Sequence, residues 1–64
     1  MEWKNRIEVN PDVLAGKPVI KGTRMSVELI LDRLANRWSM EDILASYPHL
    51  TREDVLAAIA FAAE

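Results

Sequence analysis

Two periods divide the chain. Before Met25, apolar and polar positions alternate in short stretches: in Arg6–Asn10, Ile7 and Val9 face one way and Glu8 the other, the period of a half-buried strand. A second run, Pro18–Gly22, opens on a proline, whose missing N–H suits a strand start or edge. Two short strands are too small a sheet to stand alone. The hairpin they predict needs helices over it, or strands from a second copy. Between them, Asn10–Gly16 reads as one helical turn. Asn10 is its cap, Pro11 sits at the first helical position, and Gly16 takes the left-handed conformation that ends it.

From Ser26 onward the period is helical. Val27, Ile30, Leu31, Leu34 and Trp38 fall on one face of a helix over Ser26–Arg37. Glu28 and Asp32 share one outer flank and Arg33 and Arg37 another. Like charges one turn apart do not pair, so this face reads as solvated surface. Then a pattern occurs twice: Trp38-Ser-Met-Glu-Asp-Ile43 and Leu50-Thr-Arg-Glu-Asp-Val55. Ser39 and Thr51 are N-caps with Asp42 and Asp54 at the capping-box position. Aspartate is shorter than the usual glutamate, which leaves the reciprocal bond open. Trp38 with Ile43, and Leu50 with Val55, are placed as hydrophobic staples. The second helix is therefore Met40–Ser46 and the third Arg52–Ala63, with Pro48 disfavouring helix at Tyr47. Two capped helices across a short turn, preceded by another helix, have the layout of a helix-turn-helix.

The third helix has no polar residue from Val55 to Ala63, and a helix apolar all round has to be covered all round. On a helical wheel Val55, Leu56, Ile59 and Ala63 form one face, with Ala57, Ala58 and Phe61 across from them. Two short helices and a hairpin cover one side. The expectation is that the Phe61 side, with Ala57, Ala58 and Ala62, meets a second chain.

Size reinforces that expectation. A chain of 64 residues is a single domain near the lower limit for folding alone, yet half of its residues are hydrophobic. It has no cysteine and one histidine, so no disulfide, thiolate metal site or imidazole cluster staples it. A homodimer supplies the missing burial. No secretory h-region or membrane-length apolar run is present, and the chain reads as cytoplasmic. Lys4, Arg6, Lys17, Lys21 and Arg24 against Glu2, Glu8 and Asp12 leave residues 1–24 at +2. Arg33, Arg37 and Arg52 against Glu28, Asp32, Glu41, Asp42, Glu53, Asp54 and Glu64 leave the remainder at −4.

Both glycines lie in Gly16–Arg24, among Lys17, Lys21 and Arg24. A Walker-type phosphate loop requires G-x-x-x-x-G-K-[ST] with a helix directly behind it; here the glycine spacing and the order Lys21-Gly22-Thr23 both miss. The glycines read as turn formers. The cations are not required by a hairpin, and they make the basic segment the better candidate for a nucleic-acid contact. The third helix opens on Glu53 and Asp54, with Arg52 alone to face a phosphate backbone. Candidate nucleic-acid contacts are therefore Lys17, Lys21, Arg24 and Arg52. Arg24 also reads as a structural cation, bonding carbonyls or a carboxylate across a dimer. His49 reads as an exposed loop residue, Trp3 as a hairpin cover, and Trp38 and Tyr47 as core or staple residues. No nucleophile–base arrangement, paired carboxylates or metal set appears, so neither an enzyme nor a cofactor is expected.

Gly16–Arg24 (GKPVIKGTR) and Tyr47–Ala58 (YPHLTREDVLAA) resemble the two hallmark motifs of the domain-of-unknown-function family numbered 433. The resemblance covers nearly the whole chain. It implies a mostly α, homeodomain-like three-helix unit (26–64) behind a two-stranded β-hairpin segment (1–24) in one domain over 1–64, commonly dimeric. Such proteins are often encoded beside a PIN-like ribonuclease-type protein and are regarded as antitoxins of type II toxin–antitoxin pairs. The expectation is an antitoxin-like protein that binds a PIN-like toxin, with operator DNA as a second target. The alternatives are a DNA-binding regulator without a toxin and a structural dimerisation module. Ser26 stands where relatives usually have proline, keeping the helix start by a cap instead. Relatives usually continue past the position of Glu64.

Overall fold

A computed structural model describes residues 2–64. Strand β1 (Ile7–Val9) and strand β2 (Pro18–Ile20) are followed by helices α1 (Val27–Ala35), α2 (Met40–Ser46) and α3 (Arg52–Ala63). The strands pair antiparallel with Ile7 opposite Ile20 and Val9 opposite Pro18. Ile7 and Ile20 enter the core with Val27, Ile30, Ile43, Leu50, Val55, Ala57 and Ala58. The helices cover the hairpin as its size requires.

Both glycines are left-handed, as turn formers should be: Gly16 at φ +82° and Gly22 at φ +79°. Gly22 lets the chain double back after β2. The Thr23 N–H donates to the Ile20 carbonyl at 3.0 Å. The Thr23 hydroxyl donates to that same carbonyl at 2.8 Å and accepts from the Met25 N–H at 3.0 Å. The returning chain bridges β2 again between Val19 and Ser26 before entering α1.

The link between the strands differs from the single helical turn expected. Asn10 closes an Asx turn rather than capping a helix, accepting the Asp12 N–H on its side-chain oxygen at 2.9 Å. Val13 then extends (φ −119°, ψ 118°) and breaks the helical path. Beyond it, Leu14–Gly16 forms a left-handed 3₁₀ turn: Leu14 and Ala15 have φ +49° and +56°. Two residues with a Cβ there cost roughly 1–2 kcal/mol each. Lys17 leaves the turn extended (φ −71°, ψ 147°), as a residue before proline must.

The helix ends follow from local chemistry. Ser26 caps α1, accepting the Leu29 N–H at 3.0 Å. Helix α1 ends in a Schellman motif, with the Trp38 N–H bonded to the Arg33 carbonyl and the Arg37 N–H to the Leu34 carbonyl. The left-handed position that this motif demands is filled by Arg37, φ +70°, rather than by glycine. The Arg33 guanidinium lies over the Trp38 ring at 5.2 Å, and Trp38 stacks on Tyr47 at 6.4 Å. Both capping boxes form completely. The short Asp42 side chain reaches the Ser39 N–H at 2.9 Å, and Asp54 reaches the Thr51 N–H at 3.0 Å.

One expectation is reversed. Helix α3 turns its alanine side inward: Ala57 and Ala58 have no exposure at all and belong to the core. They cannot be partner contacts. Their small side chains let α3 approach elements of its own chain closely, where the close approach of another subunit was expected. Phe61 is half-buried against that core and meets Trp3 edge-to-face, with ring centroids 4.8 Å apart. Ala62 remains exposed. The uncovered residues are instead Leu56 and Ile59, 42% and 41% exposed.

Candidate functional site

The rotation of α3 about its axis decides which residues are offered to a partner, and two contacts tie it, beside the core packing of Val55, Ala57 and Ala58. Asp54 takes the Thr51 N–H on one carboxylate oxygen and Arg6 Nη1 on the other at 3.0 Å. At the far end Trp3 holds Phe61, and its indole N–H donates to the Glu64 carboxylate at 2.6 Å. Tied at both ends to the segment around β1, α3 faces Val55, Ala57 and Ala58 inward. Leu56 and Ile59 then project outward from successive turns, with exposed Arg52 and Glu53 before them and Ala63 after. This apolar strip carries no charge between its ends.

The four candidate nucleic-acid residues are not alike. Lys17 Nζ lies 3.0 Å from Glu28 Oε1 and Arg52 Nη2 lies 3.2 Å from Glu41 Oε2. All four side chains in these pairs are more than half exposed, so each pair contributes little to stability, yet it offsets a cation. Among the described residues Lys21 and Arg24 make no ion pair or side-chain hydrogen bond. Lys17 and Arg24 border the same groove, which Glu28 and Asp32 also line. Lys21 and Arg52 are outside it.

The acidic residues of the helix starts are largely committed within the chain. Asp42 and Asp54 close their capping boxes. Glu41 has its carboxyl lowered below the ordinary value, first by a hydrogen bond from its own backbone N–H and then by the Arg52 guanidinium. His49 is exposed. No cluster of metal-ligating side chains occurs among the described residues, and no helix is long and apolar enough to cross a membrane.

Sequence reasoning missed Arg6 and Leu14 and assigned Trp3 only to the hairpin. The Arg6–Asp54 contact joins positions 48 residues apart, and no local pattern carries that signal. The period did place Leu56 and Ile59 on one face, but the choice of the buried face was inverted.

Residues 7–62 match the family model described as "Protein of unknown function (DUF433)". The chain is 33% identical to a protein from Anabaena variabilis whose crystal structure is described as that of a DUF433 member. The two superpose with a TM-score of 0.86 over 91% of this chain, which spans 57% of the length of that protein. No functionally curated protein matches the chain.

Proposed function

This chain belongs to the DUF433 family of proteins of unknown function, and we propose from its surface that it works by protein–protein contact, as the antitoxin-like member of a pair with a PIN-like nuclease. The observation that carries this reading is the outward face of α3. Leu56 and Ile59 stand in water at 42% and 41% exposure on a helix whose inner side is already satisfied. With Arg52 and Ala63 they follow the i, i+4, i+7, i+11 spacing of a helix that lies in a partner's groove. A net charge of −2 suits a basic, nucleic-acid-binding partner surface. The same face serves for self-association when the partner is absent, replacing the Ala57–Ala58 side as the route to a dimer.

Operator DNA is a poorer fit. Of the four cations a DNA contact would use, two are ion-paired and Arg24 shares its groove with two carboxylates. Carboxylates beside the cations repel a phosphate backbone.

Co-expression with a PIN-like nuclease from the same host, followed by affinity capture, tests the reading. The expected result is a stoichiometric complex with suppressed nuclease activity, lost in Leu56→Glu and Ile59→Glu variants that keep the wild-type circular dichroism. Absence of a wild-type complex, or a complex indifferent to both substitutions, overturns it.

A further inference from the structure

An open groove of about 790 Å³ lies between the left-handed turn and the first half of α1, lined by Leu14, Ala15, Lys17, Arg24, Glu28, Leu29 and Asp32 among others. It shares no residue with the outward face of α3. We propose that this groove docks an extended peptide segment of a partner protein, in which a single carboxylate stands next to an aliphatic side chain. Arg24 takes the carboxylate, and the aliphatic group sits with Leu14 and Leu29.

Three observations point to this occupant. The groove wall is built on Leu14 and Ala15, non-glycine residues held at φ +49° and +56°. Strain of this kind persists where the surroundings over-determine it, and it collects at ligand clamps. The strained turn leaves Leu14 at 40% exposure on the groove, so its leucine is not there to fill the core. The charges of the groove are also unequally matched. Lys17 has Glu28 at 3.0 Å and Asp32 has Arg33 at 3.1 Å. Arg24 is the lining cation left without a carboxylate among the described residues. Its planar fork is matched by a carboxylate with two hydrogen bonds. A phosphodiester chain would also offer an anion, but it would have to lie along Glu28 and Asp32 as well. An extended peptide with one acid beside one aliphatic residue meets the cation and the apolar floor together.

The probe is a short, end-blocked fluorescent peptide with Glu-Leu at its centre and no other charged residue. Binding is followed by anisotropy and by amide shifts of the ¹⁵N-labelled protein. The expected result is binding with shifts centred on Leu14, Ala15, Arg24 and Leu29. Arg24→Ala, Leu14→Ser or a Gln-Leu peptide each weakens it by about tenfold. Arg24 and Leu14 are exposed, and unchanged thermal melts verify that these variants fold. A charge swap, Arg24→Glu against a Lys-Leu peptide, restores binding. No shift at millimolar peptide overturns the proposal, as do shifts centred on α3 or binding indifferent to Arg24→Ala. So does an oligonucleotide that perturbs the same residues and displaces the peptide.

Discussion

Arg6 and Asp54 meet at 3.0 Å, with the Asp54 side chain 13% exposed and that of Arg6 40%. Asp54 thereby serves two elements at once. It completes the cap of α3 and fixes the chain just before β1 to that helix. A surface ion pair alone contributes from nothing to about 1 kcal/mol, and a cap about 1 kcal/mol. Asp54→Ala loses both and is expected to destabilise by about 2 kcal/mol, whereas Thr51→Ala costs about 1 kcal/mol. Urea denaturation of the Arg6→Ala, Asp54→Asn and double variants should give a coupling energy of about 0.5–1 kcal/mol. Strict additivity would show that the contact does not orient α3.

The left-handed residues predict an unusual sign. Replacing a side chain by glycine normally destabilises, because the unfolded chain gains freedom. At Ala15 (φ +56°) and Arg37 (φ +70°) relief of the steric penalty outweighs that loss. Ala15→Gly and Arg37→Gly should each raise stability by about 0.5–1 kcal/mol, a rise of a few degrees in the thermal midpoint. Gly22→Ala meets open space but keeps φ +79°, and should lose about 1 kcal/mol.

Which side of α3 is internal can be tested by size. Ala57→Leu or Ala58→Leu forces a larger group into a filled core and should cost about 1–3 kcal/mol. Leu56→Ala or Ile59→Ala, at half-exposed positions, should cost less than about 1 kcal/mol in the monomer. The opposite ranking would put the alanine side at an interface.

Glu41 gives a test by pH. Its folded-state carboxyl is lowered from the ordinary value. The stability it contributes is therefore present above the titration range of an unfolded glutamate and fades as pH falls through the lower folded value. A carbon-detected NMR titration should place its midpoint below 4.5, the ordinary value. Arg52→Ala should move it only part of the way back, because the backbone hydrogen bond is the larger cause. A full return would make Arg52 the principal cause.

Local and long-range information part ways in this chain. The bounds of α2 and α3, both capping boxes, the strand pair and the turn roles of Gly16 and Gly22 were legible in the sequence. Each depends on residues within a few positions of one another, where hydroxyl, carboxylate and glycine have few conformations to choose from. The left-handed Leu14–Ala15 turn was not legible, since nothing local favours φ > 0 at leucine or alanine. Nor was the inward face of α3. Its apolar residues surround the helix, so the period gives no direction, and contacts from Arg6 and Trp3, far off in the chain, select the alanine side. The sequence by itself determined where α2 and α3 begin and end and where the two strands fall. Tertiary structure alone decided which surfaces remain for a partner, because that choice is made between segments that meet only after the chain has folded.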